Sequence, residues 1–164
     1  MILEKLEVDH ERVPYIHFGQ IVYGPGKAFA GAIVEGIRSG RARIIGSGNN
    51  HLPLTHVDDA AASLAHVLDL APSEVVGRTI VAAPATTPTQ QELYATTAAA
   101  LERPVPKRAP LALAALIAGR IYAEVMSLDA RCDPDLLSAT GFTFRHESIA
   151  TGIPATLAAM ETTA

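Results

Sequence analysis

Tyr23 and Lys27 stand four residues apart, the spacing that puts a phenol and an ammonium one helical turn from each other. On a helix, such a Lys lowers the phenol's pKa, so the Tyr can exchange a proton with a substrate oxygen. Here Gly24-Pro25-Gly26 separates the two, and Pro and Gly do not sustain the helix that would aim both side chains together. The pair is read as coincidence, and no catalytic residue is assigned. Gly46-Ser47-Gly48 follows an apolar stretch and invites a phosphate role. A phosphate cradle needs a Gly-rich turn that opens at once into a helix N-terminus. This one lacks a third glycine and a prompt helix, so it reads as a tight turn. His56, Asp58 and Asp59 could suggest metal or acid–base chemistry. His56 and His66 are not at the i,i+4 spacing that places two ligands on one helical face, so no metal site is expected. Asp58 as N-cap, with Asp59 beside it at the positive helix end, accounts for both carboxylates.

The elements that must position these residues follow from apolar spacing and turn chemistry. Ile2 to Glu11 reads as the end of an amphipathic helix and Val13 to Phe18 as a strand, followed by the Tyr23–Gly26 loop. Phe29, Ile33, Val34 and Ile37 form a helical stripe that Gly40 stops. Ala42 to Ile45 is a short strand, and Leu52 to Thr55 is extended. A helix from Asp58 to about Leu70 is expected to bury Ala61, Leu64, Ala65 and Leu68. Arg78 to Ala82 is a strand, and Thr89-Gln90-Gln91-Glu92 is a capping box opening a helix to about Leu101. A Pro-rich connector, Arg103 to Pro110, precedes helices over Leu111–Met126, Asp133–Ala139 and Ser148–Met160; Thr140 to Phe144 is a turn into an extended piece.

Helices alternating with short apolar strands indicate an α/β protein. Too few strands are available to cover Val13 to Ile16, which reads as an interior strand without neighbours from this chain. With 164 residues and 49% hydrophobic content the chain can bury a sizeable core as one domain. The net charge of -4 and scattered basic residues exclude a nucleic-acid surface. The one basic cluster is Arg38, Arg41 and Arg43, with Lys107 and Arg108 as a separate pair. Cys132 is the only cysteine, so no intrachain disulfide forms. No signal peptide is visible, and the apolar run from Leu111 ends at Arg120, too short for a bilayer. A soluble, cytoplasmic protein is expected.

Taken in order, several segments resemble the second half of the NAD-dependent epimerase/dehydratase family, the extended short-chain dehydrogenases. They are Ile16 to Gly26 with its Tyr-Gly-Pro-Gly end, Gly46 to Asn50 followed by Thr55-His56-Val57-Asp58-Asp59-Ala60, Thr87 to Leu93, and Leu137 to Phe144. The resemblance implies a partial Rossmann-type unit with a mostly helical substrate-binding subdomain. Residues 1–27 would end the Rossmann-like part and 28–164 would form the substrate-binding part. His17 stands where the family has Arg; the resemblance implies cofactor contacts at His17, Gly19 and Gln20, with Gly19 and Gln20 nearest the nicotinamide. Substrate contacts are implied at Tyr23, Pro25, Gly26, Asn49, Asn50, His51 and His56. Leu52-Pro53-Leu54-Thr55 lacks the Arg with which relatives acting on nucleotide sugars hold a diphosphate, which implies a smaller, less charged substrate.

The family's Gly-rich dinucleotide turn and Tyr-x-x-x-Lys pair have no counterpart in this sequence. Two readings follow. In the first, the chain is the substrate side of an NAD(P)-dependent reductase or epimerase-type protein, using NAD or NADP and completed by a complementary half or a second copy. In the second, it is a redox-inactive derivative that works without cofactor, as a binding or partner protein or a cofactor-independent enzyme. Neither reading involves nucleic acid or a membrane.

Overall fold

The computed structural model describes residues 14–26 and 29–163. The helix expected over Ile2 to Glu11 lies outside them, as do Val13 and Lys27. Among the described residues six short strands form three parallel pairs. β1 (Tyr15–Phe18) pairs with β5 (Thr79–Ala82), β2 (Ile21–Tyr23) with β4 (Leu54–His56), and β3 (Ile44–Ile45) with β6 (Arg108–Ala109). The fold is α/β, a partial Rossmann-type unit carrying many helices. Within the loop expected at Tyr23, the approach Ile21–Tyr23 is a strand, because its backbone finds β4 alongside.

The first helix among the described residues, α1, runs as a π-helix over Ala30–Val34 and as an α-helix over Glu35–Arg38. Phe29, Ile33, Val34 and Ile37 are all buried, as the stripe requires, and Gly40 closes the helix at φ +68°. They join Tyr23, Leu52, Leu54, Leu93, Ile153 and Leu157 in the larger core. Burying each such large side chain contributes about 1.5–3 kcal/mol. A second core gathers Val67, Val75, Ile80, Ala82 and Leu137.

Helix α2 (Val57–Asp69) differs from expectation in two ways. Its N-cap is His56, whose imidazole accepts from the Asp58 amide, so Asp58 sits in the first turn instead of capping it. Its buried face is Asp59, Ala60, Ser63 and Val67, while Leu64 is 43% and Leu68 83% exposed, and Ala61 and Ala65 are exposed too. The small and polar face wins the interior because Asp59 accepts from the backbone N–H groups of Arg145 and His146. The apolar stripe is left facing outward.

A short helix, α3 (Pro72–Val75), precedes β5. The capping box of α4 (Gln90–Ala100) forms as expected: Thr89 accepts from the Glu92 amide and Glu92 accepts from the Thr89 amide. The expected helix over Leu111–Met126 is two, α5 (Leu111–Ala118) and α6 (Arg120–Ser127), broken at Gly119 with φ +93°. α7 (Asp135–Ala139) and α8 (Ile149–Thr163) complete the chain. No helix among the described residues is long and apolar enough to cross a membrane.

Candidate functional site

Three side-chain groups gather around the strand ends. In the first, Thr55 is fully buried; its hydroxyl donates to the Ala82 carbonyl at 2.8 Å and accepts from the Gly19 amide at 3.0 Å. Gly19 has no room for a side chain, since a Cβ would stand 2.6 Å from the Pro53 carbonyl oxygen. Next to it, Gln20 donates from Nε2 to the Val125 carbonyl at 2.7 Å, while its buried Oε1 has no partner among the described residues. His17 lies on the exposed face of β1, the face it shares with Tyr15.

The second group is a column of rings. Tyr23 meets His56 edge-on with centroids 5.1 Å apart, and His56 lies 4.0 Å from His146. His56 Nδ1 accepts from the Asp58 amide, so Nε2 carries the proton and donates to the Thr156 hydroxyl at 3.2 Å. Burial, then the neighbouring His146, hold His56 below its usual pKa, against the pull of Asp58 and Asp59. Burial first, and Asp59 second, push the Tyr23 phenol up, so it stays protonated and serves as no base near neutral pH. Tyr23 and His56 are therefore uncharged near neutral pH. His56, Asp58 and His146 place three donor atoms within 4.8 Å of one another. The His56 lone pair nearest Asp58 is already spent on the helix cap, and a cation would have to displace it.

The third group ties the Gly-rich turn to the end of α6. Gly46 and Gly48 both adopt left-handed backbone, φ +65° and +72°, which makes the segment a tight turn. Asn50 donates from Nδ2 to the carbonyls of Met126 and Leu128 at 3.0 and 3.1 Å. The backbone amide and Nδ1 of His51 lie 2.6 and 2.8 Å from an Asp129 carboxylate oxygen, and Arg131 reaches its Nε2 at 2.8 Å. These His51 contacts hold the Asp129 carboxyl below its usual range.

The helix start nearest this turn cannot receive a pyrophosphate. At α4, the Gln90 amide donates to Asn50 O, the Gln91 amide to Gly48 O, and the Glu92 amide to Thr89 Oγ1. Its first-turn donors are consumed.

Of the residues the sequence singled out, Gly19, Gln20 and His17 stay together at the end of β1, and Asn50 and His51 stay together at the turn. Tyr23 and His56 are buried in the ring column, whereas Pro25, Gly26 and Asn49 are exposed. His146 was missed. Nothing in the sequence brings it to His56, because the loop that delivers it is fixed by Asp59, a residue read only as helix-end charge.

Comparison with solved structures gives extensive likeness at probability 1.00. A human epimerase family protein solved with NADPH is 26% identical, with TM-score 0.76 over 86% of this chain and 46% of that one. Its fold is shared with epimerase-type proteins. UDP-glucose 4-epimerase from Thermus thermophilus, solved with NAD, is 18% identical, with TM-score 0.67 over 91% of this chain and 46% of that one. UDP-glucuronic acid 4-epimerase from Bacillus cereus, solved with UDP-glucuronic acid and NAD, is 13% identical, with TM-score 0.69 over 96% and 48%. The chain thus spans about half the length of the epimerase-type structures it matches. No protein-family profile matches the sequence. No curated protein matches it either.

Proposed function

We propose that this chain is the C-terminal, substrate-side portion of an NAD(P)-dependent reductase or epimerase-type protein. A complementary half would hold the pyrophosphate and carry the proton-donating Tyr and Lys. The observation that carries this reading is the likeness to an NADPH-bound epimerase family protein over 86% of this chain but 46% of that one. The strand expected to lack neighbours from this chain has one, since β1 pairs with β5. Among the described residues no second strand pairs with it, which leaves an edge for a complementary half.

The residues present fit one end of the cofactor and not the other. The orphaned Gln20 Oε1 is an acceptor suited to a carboxamide N–H, beside a glycine that lets another group approach closely. Gln20 and Gly19, with His17 near the strand end, would meet the nicotinamide. The consumed donors of α4 offer nothing to the phosphates. When bound, the nicotinamide exchanges a hydride with a substrate carbon. The part of this chain is to bind and orient that substrate. Pro25, Gly26 and Asn49 would contact it, and Tyr23, Asn50, His51 and His56 would hold the contacting loops in place.

The test is a fusion of the NADPH-binding half of the human epimerase family protein ahead of Pro14. The fusion should bind NADPH more tightly than that half alone, and Gln20→Leu should weaken this gain several-fold. A folded fusion that binds no better than the isolated half would overturn the proposal.

A further inference from the structure

Two basic clusters far apart in the sequence come together in space. Arg41 and Arg43 lead into β3, and Arg108 lies in β6. The parallel pairing sets Ile44 opposite Arg108 and Ile45 opposite Ala109, which brings the three arginines to the lining of one cavity of about 640 Å3. Its remaining wall is mostly apolar, with Ile45 below and Leu113 and Ile117 of α5 along one side. Ile117 is 77% exposed, so this wall faces open space instead of a packed neighbour. A second cavity of about 290 Å3 adjoins it through Gly36, Ala42 and Arg43, and adds Lys107. Among the described residues no carboxylate lines either cavity, although the chain as a whole carries a net charge of -4.

Among the described residues the three arginines also lack a neutralising partner. Arg41 donates to the Ser39 hydroxyl, Arg43 to the carbonyls of Gly40 and Ala42, and Arg108 to the Gln91 side-chain oxygen. All of these acceptors are neutral. Among the described residues no ion pair involves Arg41, Arg43 or Arg108. Uncompensated guanidinium groups around a concave wall favour a planar or tetrahedral oxyanion, which they can hold through paired N–H groups. The apolar wall favours hydrocarbon. A cavity of this size takes a small molecule. Its three cations are too few for a polynucleotide backbone, whose binding needs a broad basic track.

We propose that this cavity binds an amphipathic organic anion. Its carboxylate or phosphate head lies against Arg41, Arg43 and Arg108, and its apolar body lies along Ile45, Leu113 and Ile117. The site is built from this chain's own residues, so it stands whether or not a complementary half supplies a dinucleotide.

Calorimetric titration of the full chain with octanoate, octyl phosphate, octanol and inorganic phosphate tests the proposal. At least one anionic amphiphile should bind with 1:1 saturation, about tenfold or more tighter than octanol and than phosphate. Comparing octanoate with octyl phosphate assigns the head group. Replacing both Arg43 and Arg108 by Gln should cost about tenfold or more in that affinity. All three arginines are exposed, so the thermal transition should be unmoved. Ile117→Asp, also at an exposed position, should weaken the amphiphile while leaving inorganic phosphate unchanged. Octanol binding as tightly as either anion, full affinity in the double Gln variant, or no saturable binding by any amphiphile would each overturn it.

Discussion

His56 combines two roles that depend on its being uncharged: Nδ1 caps α2 and Nε2–H meets Thr156 inside the core. Its folded pKa lies below the usual 6.5, so the unfolded chain takes up the proton first as the pH falls. The stabilising contribution is complete above about 6.5 and is lost progressively as the pH drops toward the lower folded value. His146, Asp58 and Asp59 are the titratable neighbours that set this balance. The urea midpoint should therefore fall as the pH is lowered from 7.5 to 5.5. In His56→Gln it should start lower but vary less over the same range. An unchanged pH slope in that variant would contradict the assignment. At this scale the sequence shows that His56 and Asp59 are chemically capable residues. It does not show their partners, because Thr156 is 100 residues away and the loop bearing His146 is placed by Asp59.

Among the elements, the hydrophobic stripe of α1 was legible because its buried side is also its apolar side. In α2 the two differ. Periodicity reveals which face is apolar, yet burial goes to the face whose polar group, Asp59, finds backbone donors. The outward Leu64 and Leu68, together with exposed Leu116, Ile117 and Ile121 on α5 and α6, leave apolar surface on several helices. The division of α5 from α6 was likewise hidden, since glycine in an apolar run marks a weak point without stating its backbone angle. Gln90 shows how elements are tied together: it is fully buried, accepts from the Ile45 amide at 2.5 Å, and donates to the Met126 carbonyl at 2.7 Å. It fastens β3 to the end of α6. Gln90→Ala leaves both backbone groups unpaired and should cost about 2–4 kcal/mol in chemical denaturation, following the penalty for buried unsatisfied groups. A loss under about 0.5 kcal/mol, the range of ordinary surface changes, would refute that role.

For the whole molecule, the α/β class and the strands β1, β3, β4 and β5 were readable from alternating helical and extended patterns. β2 ran into an expected loop, and β6 lay in the expected Pro-rich connector. The grouping of the strands into three parallel pairs was not readable, because each pair joins segments separated by a helix or more. The meeting of Arg41 and Arg43 with Arg108 is a product of that pairing, and in the sequence they are two unrelated clusters. The same scale carries the functional account. On the proposed function, a chain that aligns with about half of each epimerase-type structure, and whose best-placed helix start has already spent its N–H donors, should not hold a dinucleotide unaided. Fluorescence titration of NADPH with the purified chain tests this most directly. The account predicts no saturable signal through the micromolar range, and saturable micromolar binding of NADPH by this chain alone would contradict it.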